Sequence, residues 1–421
     1  MTVIVTILGL GRFNKDTGRY VYEEATYQWS RFPDKPVKTS LVQEALRKWF
    51  PEADILALAT EEALEHTWPK VKPIGNVCFR KIPKGSSQNE FWKIYNAVTE
   101  SLPHGARVIL DFTHGLRSIP LITLLALVFL RAAGRIELEA VIYAAQEAKT
   151  PEGITPIFDL TPFLAMLDWA GATERFLEIG DTSKFHKLTI RENAPQSLVQ
   201  GVKELEDLSY AVATNRTFLA GSHAFKALSI DHEIEKWGEE SGPIKLLLNE
   251  IKEVLSHLAI RQDMKLEEQL QQLFMHVAWY LKHGYYEKAI GLAREWFITF
   301  VQYKCIQFAD ISEQHILPVN DEIRSRWDST IGRIGSNLLQ DKMRLQSQVR
   351  SVFGDNFELT EEWKALFAVW QRLKDIRNDL LHFGFRSHPK NPDEVRSEVE
   401  SCLCDLKKAV EKMGLELPEI R

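Results

Sequence analysis

Short apolar runs alternate with amphipathic stretches over the first 170 residues. The strand-like runs fall at residues 3–8, 55–59, 77–82, 108–110, 139–143 and 157–160. Helical periodicity fills the intervals, at residues 40–50, 90–102, 119–133 and 162–169. Strands that alternate with helices predict an α/β domain, with a mostly parallel sheet that is covered on both faces.

From about residue 171 the strand signals almost vanish, and the pattern predicts an all-α C-terminal domain. Residues 173–201 are interpreted as a bridging region, and Ser40 and Thr360 as helix caps. The helices predicted after the bridge fall at residues 205–219, 223–237, 244–260, 265–283, 285–305, 360–383 and 393–413. We therefore divide the chain into an α/β domain at 1–170, a helical connector at 171–255 and a second functional domain at 256–421.

The strand at residues 108–110 leads into a polar loop and then into an almost entirely apolar helix. Ligands of open α/β sheets bind at such strand ends, near the positive end of the following helix. Thr113, Ser118 and the backbone amides are candidate donors, and Arg117 is available to a phosphate. The alternative is a purely structural loop, in which Asp111 only accepts hydrogen bonds from backbone amides.

The residues at this sheet edge also suggest two other kinds of site. Gly9-Leu-Gly11 follows the first strand, but position 14 is Asn14, so the third glycine of a dinucleotide fingerprint is missing. A glycine turn that is open to some other ligand is the better interpretation. Asp111 and His114 have metal-binding side chains, yet the sequence shows no third protein ligand beside them, and we predict no metal.

Composition and charge limit the kinds of ligand site and location that we expect. The net charge of −6 argues against an extended surface for polyanions, so any nucleic-acid site must be local. The four cysteines are scattered, which predicts neither a disulfide framework nor a zinc site. The longest apolar run, at residues 121–130, is too short to cross a bilayer, and no basic region precedes the first strand. We expect no membrane association and a cytoplasmic location.

The segment Arg377-Asn-Asp-Leu-Leu-His382 lies near the end of a predicted helix. Asn378 and His382 are four residues apart and share a helix face, whereas Arg377 and His382 are about 140° apart. A histidine can activate or protonate an oxygen, and an arginine can stabilise a pentavalent phosphorane. RNA supplies its own nucleophile, the 2′-hydroxyl, so this chemistry requires no metal. The alternative is a surface arginine followed by a helix-ending histidine.

Several segments together resemble known protein families. Residues 111–120, Asp-Phe-Thr-His-Gly-Leu-Arg-Ser-Ile-Pro, resemble the DxTHG signature of CRISPR-associated CARF-domain proteins. Residues 82–85, 90–92, 141–143 and 156–161 are similar to the segments that flank it in that family. Residues 377–382 match the Arg-x4-6-His motif of HEPN ribonucleases. The order, with the sensor first and the nuclease last, is typical of the type III CRISPR accessory ribonucleases.

The resemblance implies a Rossmann-like CARF domain, followed by an all-α HEPN domain that cuts single-stranded RNA without a metal. It implies a homodimer, or a higher oligomer of dimers, activated by a cyclic oligoadenylate that we expect to be cyclic tetra-adenylate. On that transfer Arg377 and His382 are catalytic, and Asn378 supports them. The residues implied to line the activator pocket are Gly9, Gly11, Arg12, Asp111, Thr113, His114, Gly115, Arg117 and Ser118.

One position departs from the family pattern. Leu10 stands between the glycines, where the family often has a small polar residue, and the ligand contacts at that turn stay open. Two alternative functions also stay open at this point. One is a CARF-type sensor that regulates a partner without ribonuclease activity, and the other is a ring nuclease that degrades the cyclic oligoadenylate.

Overall fold

The chain forms two compact units, Met1–Met166 and Leu167–Arg421. They are seen in a computed structural model that describes residues 1–16, 18–115, 118–191, 196–228, 242–306, 321–337, 353, 357–382, 385 and 388–419. The predicted roles of residues 1–170, 171–255 and 256–421 as sensor, connector and nuclease stay predictions.

The first unit is built on an eight-stranded sheet. The described strands are β1 (Thr2–Ile7), β2 (Arg12–Asn14), β3 (Arg19–Val21), β4 (Ala25–Trp29), β5 (Val37–Thr39), β6 (Asp54–Ala59), β7 (Val77–Lys81), β8 (Ala106–Asp111), β9 (Ile136–Ala144) and β10 (Ile154–Asp159). The sheet order is β5-β4-β10-β9-β8-β1-β6-β7, and β2 and β3 pair separately. Five of the seven pairings in the large sheet are parallel, which confirms the predicted mostly parallel sheet.

Both faces of the central strands are buried. Along β1, Val5 packs into a core on one face of the sheet, together with Leu110 of β8. Ile4, one residue earlier, packs with Ile109 into a second core on the opposite face. Alternate residues of a strand point to opposite faces, so an unbroken apolar run fills two cores at once.

Helices cover the sheet. The described helices of this unit are α1 (Val42–Trp49), α2 (Glu61–His66), α3 (Trp68–Val71), α4 (Gln88–Ser101), α5 (Ser118–Ala132) and the start of α6 (Thr161–Ile179), with short 3-10 turns at Lys72–Ile74 and Gln146–Ala148. Helix α5 buries Ile119, Ala126, Leu127 and Leu130 against the sheet. Its opposite side is also apolar, because Leu121, Leu125 and Phe129 are 57%, 52% and 60% exposed. Trp92 of α4 is 61% exposed, and we call these four side chains the apolar stripe.

The second unit is helical throughout its described part. Its helices, after α6, are α7 (Ser183–Arg191), α8 (Gln196–Ala213), α9 (Thr217–Ala227), α10 (Gly242–Leu258), α11 (Leu266–Lys282), α12 (Tyr286–Cys305), α13 (Asp321–Asn337), α14 (Glu361–Leu381) and α15 (Pro392–Lys412). This confirms an all-α C-terminal part. No helix among the described residues is long and apolar enough to cross a membrane.

Several predicted elements are wrong in detail. Ser40 does not cap α1: Leu41 occupies the N-cap position, and the Thr39 hydroxyl accepts from the Leu41 amide at 3.2 Å. The predicted helix at residues 205–219 breaks near Asn215, which adopts a positive φ of 58°. The bridging region at 173–201 is mostly helix, and part of the helix predicted at 223–237 lies outside the described residues.

Candidate functional site

Asp111 is the centre of a hydrogen-bonded group at the carboxyl end of β8. Its Oδ2 accepts from the Thr6 hydroxyl at 2.6 Å, and Thr6 is its register partner on β1. Its Oδ1 accepts from the amide of Thr113 at 3.0 Å and from the Thr113 hydroxyl at 2.5 Å. Gln43 donates to Thr6 at 2.9 Å, and Ala144 donates its amide to the Thr113 hydroxyl at 2.9 Å. Asp111 has no exposed surface, so in this structure it fixes the loop rather than facing solvent.

The glycine turn after β1 lies against this loop. A Cβ placed on Gly9 would lie 2.7 Å from Cβ of His114, a distance that real side chains do not tolerate. Gly115 has a φ of +120°, and a Cβ there would lie 2.8 Å from a methyl group of Ile7. Only glycine allows the close approach at both positions, and at Gly115 it also allows the backbone angle. The structure thus brings together the two segments that the sequence placed at one sheet edge.

His114 and Ser118 are two partly exposed polar residues of the loop. Burial lowers the pKa of His114 below its ordinary value, and the Asp111 carboxylate acts in the opposite direction. His114 is therefore a neutral imidazole near pH 7, which can both donate and accept. The Ser118 hydroxyl donates to the carbonyl of Gly85 at 3.2 Å. Arg117 lies outside the described residues.

Gly11 and Arg12 belong to the β2–β3 hairpin rather than to the 111–118 loop. A Cβ on Gly11 would lie 2.4 Å from the Val21 carbonyl oxygen, and Arg12 forms an exposed ion pair with Glu23 at 3.5 Å. The hairpin borders an open cleft of about 590 Å³ lined by Arg19, Tyr20, Val21, Tyr22, Ser40 and Lys70. The cleft adds two cations, Arg19 and Lys70, that sequence reasoning missed.

Polar contacts join Tyr22, the residue after β3, to the glycine turn through Thr67 and to Lys70 of α3. The Thr67 hydroxyl donates to the carbonyl of Gly9 at 2.8 Å, and Tyr22 hydrogen-bonds to Thr67. The ammonium of Lys70 lies 4.1 Å from the centre of the Tyr22 ring. Nothing in the sequence pointed to Thr67 or Tyr22, because neither belongs to a recognisable motif.

An aromatic pair lies on the other side of the loop. Phe112 and Tyr143 of β9 stack with ring centres 5.7 Å apart and an interplanar angle of 14°. A hydrogen bond to the Glu147 carboxylate raises the pKa of Tyr143 to about 12. Flat aromatic faces bind purine rings by stacking. The sequence signal was only the presence of an aromatic residue at the carboxyl end of each of two neighbouring strands.

The second predicted site lies at the end of α14. His382 is the C-cap residue, and its amide donates to the carbonyl of Asn378 at 3.3 Å. Arg377 donates to the side-chain oxygen of Asn378 at 3.4 Å, and it is partly buried, whereas His382 is exposed. The three predicted residues are therefore close together on one helix end. Two exposed apolar residues flank His382: Leu381, 36% exposed, and Phe385, 93% exposed.

Potential metal ligands cluster elsewhere in the described part of the chain. Glu204 and Asp207 of α8 and His223 of α9 place their ligand atoms within 4.8 Å of one another. His223 already shares a hydrogen bond of 2.7 Å with Glu204, and Asp207 pairs with Lys203 at 3.4 Å. This cluster belongs to neither predicted site, and the prediction of metal-independent chemistry stays a prediction.

Together the fold and the two candidate sites define a class of chain: an α/β unit with a polar loop at its sheet edge, followed by a helical unit with an Arg/Asn/His helix end. Over 150 residues the chain is 23% identical to the CRISPR-associated protein MJ1674 of Methanocaldococcus jannaschii, a match that covers 34% of this chain and 23% of that protein. Csm6 of Enterococcus italicus, bound to cyclic hexa-2′-fluoro-hexa-dAMP, matches 100% of this chain and 96% of its own with a TM-score of 0.43 and 12% identity. No family model matches the chain.

Proposed function

We propose that this chain is a single-stranded endoribonuclease of CARF–HEPN type, switched on by a cyclic oligoadenylate in type III CRISPR defence. One observation carries the proposal: a loop of DxTHG type at a sheet edge and a grouped Arg377/Asn378/His382 helix end occur in the same chain. The similarity to a CRISPR-associated protein over 150 residues supports the biological setting.

The α/β unit supplies the chemistry for an oligonucleotide activator. Phosphates pair with Lys70 and Arg19 in the cleft and with the amides of the glycine turn, and adenine stacks on the Phe112–Tyr143 pair. Neutral His114 both donates to and accepts from the ligand. Asp111 and Thr113 hold the loop in place, because their polar atoms are already engaged within the protein.

The helix end supplies the chemistry for RNA cleavage. The 2′-hydroxyl attacks the neighbouring phosphorus, and the bond to the 5′-oxygen of the next nucleotide breaks, which leaves a 2′,3′-cyclic phosphate and a 5′-hydroxyl. His382 handles the proton that leaves the 2′-oxygen or the one that reaches the 5′-oxygen, and Arg377 stabilises the charged phosphorane. Asn378 orients Arg377 through its side-chain oxygen.

Pairing of two copies completes both sites in this proposal. The apolar stripe provides a surface for a second copy, since isolated apolar side chains are common on surfaces but a contiguous row is not. Tyr95 links the stripe across the two helices, 5.7 Å from Trp92 and 5.9 Å from Phe129 between ring centres. Helix α5 begins at the activator loop, so pairing along it brings two loops towards one two-fold axis.

The pairing is tested by placing a charge in the stripe. We expect Leu125→Glu to lower the mass measured by light scattering from that of a dimer to that of a monomer. It should also abolish activator-stimulated cleavage. Leu246→Glu is the matched control, because Leu246 is 67% exposed on α10 outside the stripe. A dimer that survives Leu125→Glu unchanged contradicts this mode of pairing.

The ribonuclease activity is tested with a labelled single-stranded RNA in EDTA, with and without cyclic tetra- or hexa-adenylate. We expect cleavage only with the activator, its loss in His382→Ala and Arg377→Ala, and nearly unchanged activator affinity in both. His388→Ala is the control, because His388 is also exposed and follows the same helix. Degradation of the cyclic ligand that survives His382→Ala, without RNA cleavage, favours a ring nuclease instead. Specific duplex DNA binding without cleavage favours a regulator.

A further inference from the structure

A second group of arginines lies beside Arg377, on the two helices that pack against α14. Arg294 of α12 donates to Asp328 of α13 at 2.6 Å and to its neighbour Glu295 at 2.9 Å. Arg324, one turn before Asp328 on α13, forms an ion pair with Glu295. The side chains of Arg294 and Arg324 are only 15% and 24% exposed.

Trp370 of α14 forms the floor of this group. The guanidinium of Arg294 lies 5.0 Å from the centre of the Trp370 ring, a cation–π distance that holds it in place. Gly335 and Gly332 of α13 lie beside the indole, where a Cβ would come within 3.2 Å and 3.9 Å of it. The absence of side chains at these two glycines lets α13 approach α14 closely.

Arg377 lies near enough to Arg324 for its positive charge to act on the Arg324 guanidinium. Arg377 is seven residues after Trp370, which is the same helix face and about 10 Å further along. Arg324 is eight residues before Gly332, which places it about 12 Å closer to the amino end of α13. Burial is the main cause that lowers the pKa of Arg324. The positive charges of Arg294 and Arg377 lower this pKa further, whereas the Asp328 carboxylate raises it.

Among the described residues, Arg294 and Arg324 pair with the carboxylates of Glu295 and Asp328, and Arg377 donates to the side-chain oxygen of Asn378. Guanidinium groups next to a proposed catalytic arginine are complementary to a chain of phosphates. We propose that Arg324 binds an RNA phosphate adjacent to the scissile one, with Arg294 as the positioning residue that holds α13 against Trp370. This inference rests on the proposed ribonuclease function and extends the catalytic helix end into a substrate groove on α13.

Glu295 acts as the competitor in this scheme. Its carboxylate is 46% exposed and pairs with Arg324 in the structure without RNA. A bound phosphate replaces that partner, and the exposed carboxylate returns to solvent. The groove therefore selects single-stranded RNA that can place a phosphate deep enough to reach a partly buried guanidinium.

RNA binding by full-length protein carrying His382→Ala tests the proposal, because RNA then stays intact. We expect Arg324→Gln to weaken binding about tenfold and to reduce the slope of log affinity against log salt by about 0.7, the value for one phosphate contact in a single strand. Arg326→Gln is the matched control. It removes the same charge from the same helix, but its exposed side chain points about 200° away from Arg324. Equal effects of the two substitutions would overturn the proposal.

A second variant separates binding from folding. Glu295→Gln removes the competing carboxylate and keeps the side-chain shape, so we expect it to strengthen RNA binding. If the arginines were only structural, Glu295→Gln and Arg324→Gln would both lower the melting temperature and leave RNA affinity unchanged. If Arg324→Gln does not fold, Arg324→Lys keeps the charge without the two-pronged geometry, and it should bind RNA more weakly than the wild type.

Cleavage kinetics distinguish failure of this inference from failure of the proposed function. In active protein we expect Arg324→Gln to raise KM about tenfold with little change in kcat. Activated cleavage with an unchanged KM in Arg324→Gln refutes the phosphate site but keeps the ribonuclease. Selective loss of RNA binding in a chain that never cleaves refutes the ribonuclease but keeps the site.

Discussion

Asp111→Ala should destabilise the loop that follows β8, together with strands β1 and β8. The substitution removes three hydrogen bonds to a buried carboxylate, one from Thr6 and two from Thr113. Hydrogen bonds to a charged group contribute about 1.5–3 kcal/mol each, and they are not additive within one network. The Thr6 hydroxyl is also left buried without an acceptor. We expect the α/β unit to lose about 4 kcal/mol.

Asp111→Asn is the informative companion. Its amide oxygen still accepts both bonds from Thr113, but its NH2 group faces the Thr6 hydroxyl, which already accepts from Gln43. The Thr6 proton then has no acceptor, and the cost falls to about 2 kcal/mol, the penalty for one buried unsatisfied donor. The ranking wild type, Asn, Ala follows from the number of bonds that each side chain keeps.

Hydrogen exchange measured by mass spectrometry on the full chain is the suitable assay. Two units need not unfold together, so a single melting temperature would mix their stabilities. Peptides from β1 and β8 should exchange about a thousandfold faster in Asp111→Ala, and peptides from α12 and α14 should not change. Asp111→Ala protection within tenfold of the wild type would refute the role given to this carboxylate. So would a coupling energy near zero in a double-mutant cycle with Thr6→Val.

Three further outcomes are expected. Burial lowers the pKa of His276 from 6.5 to about 4, so the unfolded chain binds more protons between these values. Stability should be constant above about pH 6.5 and fall by about 3 kcal/mol as pH drops towards 4, and His276→Gln should remove that component in urea titrations. Gly9→Ala should weaken activator binding at unchanged RNA affinity by calorimetry, because the added methyl group collides with His114. Cys404 should react with a thiol reagent in the native protein, while Cys402, buried and with its pKa raised to about 12, should not.

The parts of the fold that follow from local pattern were predictable. Continuous apolar runs at β1, β6 and β8 fill two cores, and no other use of such runs suits a chain of this composition. The last two strands on one side of the sheet, β4 and the edge strand β5, were not predicted. The sequence of these short strands resembles that of a loop. Their strand structure depends on the pairing of β4 with the distant β10, which also explains the alternating burial along β4.

The candidate sites divide in the same way. The residues of the 111–118 loop and the glycine turn were predictable, because parallel strands deliver consecutive carboxyl ends to one edge. Thr67, Tyr22 and Lys70 were not, since their approach to the turn depends on how the hairpin folds back. Likewise, the arginines near Arg377 come from α12 and α13. Short-range spacing in the sequence cannot show which distant arginines helix packing brings close to it.

Helix α5 has a mechanical consequence. Its first turn follows the loop after β8, and Leu125 and Phe129, further along the helix, belong to the apolar stripe that we propose as the contact with a second copy. A 15-residue helix is about 22 Å long, so a tilt of about 5° at the loop displaces the last turn by about 2 Å. A small movement of the loop around a bound nucleotide would thus become a larger displacement at the far end of α5. That displacement would be large enough to change how two subunits fit together.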